Sequence, residues 1–149
     1  MSAVPACWWG SCGVAHEDAL DFVRRHHRAV LATYRPDGRV QQSPVVAAVD
    51  ERDRVVISTR TGAIKTLNLR RDPRASLCVM NDSFFGEWHN VEGLMEIVEL
   101  PEAMEPLVDY YRRGFGEHPD WQEYRSAMQS EGRVLLRLTV ERSGPRVQG

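Results

Sequence analysis

Residues 58–79 read STRTGAIKTLNLRRDPRASLCV, and they hold Lys65, the only lysine among nineteen basic residues; the other eighteen are arginine. The stretch changes period twice. VVIST (55–59) is the end of a β-branched run. GAIKTLNLRRD (62–72) spaces Ile64, Leu67 and Leu69 for a short helix with those three facing inward, and Pro73 ends it. RASLCVMND (74–82) returns to strand alternation.

Upstream, RAVLATYRPDGRVQQSPVVAAVD (28–50) is two strand-like runs joined by a Pro-Asp-Gly turn, a hairpin signal. DERDR (50–54) turns the chain into the third strand, so three consecutive antiparallel strands are expected. Before them, HEDALDFVRRHH (16–27) sets Ala19, Leu20, Phe22 and Val23 on one helical side, with acidic residues in its first turn. Downstream, WHNVEGLMEIVE (88–99) alternates as a fifth strand. PEAMEPLVDYYRRGFG (101–116) is helical, with Pro101 in its first turn and Met104, Leu107, Val108 and Tyr111 buried. A second helix runs from a capping Asp120 to Gly132, and RVLLRLTVER (133–142) closes the sheet. The expectation is an α+β, mainly β, barrel-centred domain over residues 16–142, between a flexible segment (1–15) and a tail (143–149).

Composition narrows the function. A net charge of −2 over 149 residues gives no whole-protein field for nucleic acid. No apolar run approaches the roughly 18 residues of a membrane span. The N-terminus lacks the basic and apolar regions of a signal peptide, so a cytoplasmic protein is expected. Cys7, Cys12 and Cys78 are too few for a disulfide scaffold, and the Cys7–Cys12 spacing is not that of a zinc knuckle. No metal site is expected. Trp8 and Trp9 belong either to a disordered start or to a flap over an apolar surface.

Motifs of hydrolases, P-loops, dinucleotide folds and zinc proteases are missing. His26 and His27 end a helix, where positive charge is favoured. His118 falls in a loop, and Glu92 and Glu96 share a strand face without a partner acid. Lys65 has two readings. It is an exposed helix cation, or it belongs to an anion site in which Gly62 opens a helix N-terminus and Thr59 and Thr61 add hydroxyls.

The pattern T-x-x-G-x-x-K followed by RDPRASL, with VLATYRPDGR upstream, resembles the pyridoxamine 5′-phosphate oxidase superfamily over roughly residues 28 to 140. That resemblance implies a split β-barrel, FMN-binding-protein-like, with peripheral helices, acting as a homodimer with its cofactor in a groove between protomers. Thr59, Gly62 and Lys65 fall on the phosphate-binding positions, within a cofactor segment spanning Ser58, Thr59, Arg60, Gly62, Ala63, Ile64, Lys65 and Thr66. Ser43, Pro44 and Val45 are implied beside the flavin ring, and Trp88 and His89 as substrate walls. GEHPDWQEYRSAM (116–128) resembles the actinobacterial branch that binds the deazaflavin F420 rather than FMN. The C-terminal substrate motif of true pyridoxamine phosphate oxidases is not found. The resemblance therefore implies hydride transfer from reduced F420 to a planar unsaturated small molecule, with no side chain of the chain itself as acid or nucleophile. The alternatives are an FMN-dependent oxidoreductase and a non-catalytic flavin or tetrapyrrole binder. Arg70, Arg71 and Arg74 are candidates for the coenzyme's acidic tail or a dimer partner.

Overall fold

Ala47 is the hinge on which the architecture turns. The computed structural model describes residues 15–148, so Cys7, Trp8, Trp9 and Cys12 and the expectations on them lie outside the described residues. The run expected as one second strand is two: β2 (Val40–Val46) and β3 (Ala48–Val49), on either side of Ala47. The other elements are α1 (Ala15–Arg25), β1 (Arg28–Tyr34), β4 (Val55–Arg60), α2 (Ile64–Arg71), β5 (Arg74–Met80), β6 (Glu87–Val98), α3 (Met104–Phe115), α4 (Trp121–Ser130) and β7 (Arg133–Gln148). One antiparallel sheet has the order β2-β1-β5-β6-β7-β4-β3. β2 and β3 are therefore its two edges, yet a single residue joins them. Consecutive Cα atoms are about 3.8 Å apart, so the sheet must curl until its edges meet. The result is a barrel split between β2 and β4.

Alternation assigns the two faces. Leu31, Ile57, Leu77, Val79, Val91, Leu136 and Leu138 fill the barrel, and Leu20, Phe22 and Val23 of α1 pack with them in one core. On the outside, Val56 and Leu135 meet Leu107, Val108 and Tyr110 of α3 and Tyr124 and Met128 of α4. That two-sided burial explains the unbroken apolar run Val134-Leu135-Leu136 in β7. The other outer half, over β2, β1, β5 and β6, carries no helix. Cross-strand neighbours Pro44–Val30–Cys78 and Val46–Arg28–Met80–Trp88 lie there, none of them fully buried.

Several expectations change. The sequence 143–148, expected as a tail, continues β7 along β6, and Arg146 ties it to Asp18 at 2.8 Å and Glu87 at 2.9 Å. Gly93 sits at a break in the β6–β7 register, where a Cβ would come within 1.9 Å of the Thr139 carbonyl oxygen. Pro101 precedes α3, which begins at Met104, and its buried side is Leu107, Val108 and Tyr110, with Tyr111 only half-buried. Asp120 caps α4 as expected, accepting from the Gln122 and Glu123 N–H groups.

The largest correction concerns α2. Leu69 is buried, but Ile64 and Leu67 are 58% and 52% exposed. Thr66 and Asn68 are buried in their place. The Thr66 hydroxyl donates to the Arg60 carbonyl at 2.7 Å, and the Asn68 amide donates to the Thr33 hydroxyl at 3.1 Å. These bonds satisfy groups that would otherwise be costly to bury, and they fix how α2 is rotated.

Candidate functional site

A cavity of about 740 Å³ lies against the barrel split. Its floor is Arg28 and Val30 of β1, Pro44, Val45 and Val46 of β2, and Met80 of β5. One wall is the start of the strand–helix segment, with Ser58, Thr59 and Lys65, joined by Arg133 of β7. The facing wall is aromatic, with Tyr110, Tyr111 and Phe115 of α3 and Tyr124 of α4. A volume of several hundred cubic ångströms, mostly apolar with a few convergent polar groups, suits a cofactor-sized ligand.

The charges in the lining have one sign. Arg28, Lys65 and Arg133 line the cavity, and no carboxylate does. Arg133 is paired with Glu131 at 2.7 Å, and Arg28 stands 3.7 Å from Asp82. Lys65 forms no ion pair or hydrogen bond with any described residue. Burial pushes its ammonium below the ordinary lysine range, and the nearby Arg133 charge pushes it the same way. Two cations held together with one counter-charge favour an incoming anion. Ala63, extended and without a side-chain cap, leaves the first N–H groups of α2 without a capping side chain. A Cβ at Gly62 would meet nothing within 4 Å, so the space beside that helix start is open. These features fit a phosphate-bearing planar group, with Lys65 and Arg133 as cations that could face its phosphate.

Of the residues singled out in the sequence, Pro44, Val45, Ser58, Thr59 and Lys65 come together in this cavity. The others do not line it. Ser43 lies cross-strand from the core residue Leu31, with its hydroxyl buried and unpartnered. Arg60 is exposed beside Glu131, Ile64 is exposed, and Gly62 and Ala63 form the turn into α2. The Thr66 hydroxyl is committed to the Arg60 carbonyl. Trp88 is on the outer face next to Met80, one strand beyond the floor. His89 is 3% exposed on the interior side, its ring 6.0 Å from Phe22, and burial pushes its pKa down. It is packed under α1 and is no wall of the cavity.

The three arginines after Lys65 are also engaged within the chain. Arg70 donates to Thr61 and Glu99, Arg71 to the Tyr34 carbonyl, and Arg74 to Asp72. His118 is not a free surface group. Its Nδ1 accepts from the Asp120 N–H at 2.9 Å, and its ring packs against Tyr111, Trp121 and Tyr124.

Sequence reasoning missed Arg28, Met80, Arg133 and the tyrosine wall as site residues. The sequence pattern places Tyr111 in the packed side of its helix and gives Tyr110 no role. Burial raises the Tyr110 and Tyr124 phenols above the ordinary tyrosine range, Tyr124 to about 12. Among the described residues no cluster of histidine, cysteine and carboxylate could hold a metal ion, and no helix is long and apolar enough to cross a membrane.

Comparison with known proteins agrees with this geometry. The structure is similar to that of a conserved hypothetical protein from Mycobacterium tuberculosis, with 27% identity, a TM-score of 0.72, and 95% of this chain and 88% of that one covered. It is also similar to an F420 reductase, at 23% identity and a TM-score of 0.64, covering 83% of this chain and 94% of the other. A heme binding protein from Mycobacterium smegmatis matches at 18% identity and a TM-score of 0.63, over 88% of this chain and 57% of that one. A family model described as pyridoxamine 5′-phosphate oxidase matches residues 15–145, nearly the whole described chain, and the chain belongs to that family.

Proposed function

We propose that the protein is an F420-dependent reductase that delivers a hydride to a planar unsaturated small molecule. The observation that carries this reading is the cavity whose charged lining is wholly cationic, with Lys65 unpaired beside an apolar floor and an aromatic wall. The likeness to an F420 reductase supports the choice of deazaflavin. A reduced deazaflavin supplies the hydride when bound; the chain supplies position, electrostatics and exclusion of water.

Lys65 and Arg133 hold the phosphate, each charge-assisted hydrogen bond contributing about 1.5–3 kcal/mol. Val30, Pro44 and Val46 would pack against the cofactor's ring system. Tyr111 and Phe115 close the cavity against water. No carboxylate or histidine among the described residues lines the cavity, and burial raises the Tyr110 and Tyr124 phenols above the ordinary tyrosine range.

The uncovered outer face of β2, β1, β5 and β6 supports a homodimer in which a second copy closes the cavity. Light scattering at micromolar concentration should give twice the chain mass.

The functional test is a spectroscopic titration of the purified protein with F420, FMN and haem in parallel. F420 is expected to bind at least tenfold more tightly than FMN, and its reduced form to be consumed with a quinone-like or tetrapyrrole acceptor. Equal affinities for F420 and FMN would favour an FMN-dependent oxidoreductase. Tight haem uptake without turnover would favour the binding-protein reading, which the likeness to a heme binding protein supports.

A further inference from the structure

The two halves of the candidate site stand on strands that do not pair with each other. β2 is bonded only to β1, and β4 lies between β7 and β3. Ring-side residues Pro44–Val46 belong to the first, and Ser58 and Thr59, leading to Lys65, to the second. No ladder hydrogen bond fixes the distance between them.

One side chain bridges that gap. Tyr110 of α3 is 6% exposed and lines the cavity. Its hydroxyl donates to the Val46 carbonyl at 2.9 Å. Its ring packs with Val56 of β4 and Leu135 of β7 in the outer core, and that burial raises the phenol's pKa. One side chain thus ties the edge of β2, at a residue that lines the cavity, to the cluster that covers β4. Tyr124 provides an internal comparison. It is buried to the same degree, lines the same cavity and donates to a carbonyl at 2.8 Å, but that carbonyl is Leu107 on α3, away from the split.

We infer that the Tyr110 hydroxyl is a positioning group that sets the width of the site. It fixes the spacing between the ring wall on β2 and the phosphate anchor on β4 and α2. This rests on the functional reading above. A ligand that touches both walls through one rigid skeleton feels a change of spacing at both ends, because its second contact is made intramolecularly only if the geometry matches. A ligand held by one wall does not. Removing the hydroxyl should therefore cost selectivity for the phosphate-bearing ligand rather than binding in general.

The test uses wild type, Tyr110→Phe and Tyr124→Phe, titrated with two ligand pairs: F420 against its phosphate-free ring fragment 8-hydroxy-5-deazariboflavin, and FMN against riboflavin. Thermal melts of all three proteins accompany the titrations. Tyr110→Phe should lose tenfold or more in affinity for whichever phosphate-bearing ligand wild type prefers, with less than a twofold change for the matching fragment. Tyr124→Phe, even with an equal or greater fall in Tm, should keep wild-type selectivity within twofold. Equal losses for ligand and fragment in Tyr110→Phe, equal losses of selectivity in both variants, or no loss at all would overturn the inference. A wild-type protein that binds each phosphate-bearing ligand no better than its fragment would instead remove the phosphate-anchor reading, and this inference with it.

Discussion

Helices α2 and α3 obey opposite rules. α3 buries Leu107, Val108 and Tyr110 and shows its charged residues to water, as an amphipathic surface helix should. α2 buries Leu69 but otherwise turns Thr66 and Asn68 inward and leaves Ile64 and Leu67 outside. α3 is held by burial, which is strong and non-directional. α2 is held largely by directed bonds from Thr66, Asn68, Arg70 and Arg71, which constrain rotation as well as position. The lesson is that the element carrying Lys65 is fixed for aim, and its neighbour for adhesion.

That contrast can be broken by mutation, most forcefully in α3. Leu107→Ala should destabilise by about 2–5 kcal/mol, the range for emptying a buried leucine site. Leu67→Ala, at an exposed position of α2, should change stability by no more than about 0.5 kcal/mol. Urea unfolding of both variants at low protein concentration checks the pair. Equal losses would mean that α2 is held by burial after all.

Asn68→Ala tests the directed bonds. It leaves the buried Thr33 hydroxyl without its partner and should cost about 1–3 kcal/mol. Asn68→Ala with Thr33→Val should cost less than the two single losses added, because removing both partners leaves no orphan. Simple additivity in a double-mutant cycle would contradict the role given to this bond.

The smallest effect belongs to the end of α2. Hydrogen bonding from the Arg74 side chain and N–H holds the Asp72 carboxyl at about 2, below its ordinary 3.8. The folded state therefore binds this proton less readily than the unfolded chain. The stabilisation is complete above the ordinary value and is lost as pH falls through about 2. Asp72→Asn should lower Tm slightly at pH 7 and by clearly less at pH 2, where about half of this carboxylate is protonated in the folded state. A Tm difference as large at pH 2 as at pH 7 would rule out this carboxylate as its source.

The same contrast sorts what the sequence revealed. Strand periodicity carried the barrel, because its interior demands apolar residues at every second position of β1, β4, β5 and β7. α1, α4 and most of α3 were legible for the same reason. α2 was misread, since an apolar pattern cannot report that Thr66 and Asn68 find partners on β4 and β1. The split of the second strand at Ala47 was hidden because both halves are strand-like. Lys65 stood out by its rarity. Arg28, Met80 and Arg133 did not, since only the curl of the sheet brings residues so far apart in sequence to one cavity.

The central claim is that Lys65 is the anion anchor of a cofactor site, and equilibrium titration of wild type, Lys65→Arg and Lys65→Ala with F420 and FMN tests it most directly. Lys65→Ala should weaken binding roughly ten- to a hundredfold, the equivalent of one charge-assisted hydrogen bond of about 1.5–3 kcal/mol. Lys65→Arg should recover part of it, because a longer planar fork does not set its charge where a compact ammonium does. Wild-type affinity should also fall as pH rises, starting below the ordinary lysine range, because burial and Arg133 make Lys65 give up its proton early. Equal binding by all three proteins would contradict the account and leave the lone lysine an exposed helix cation.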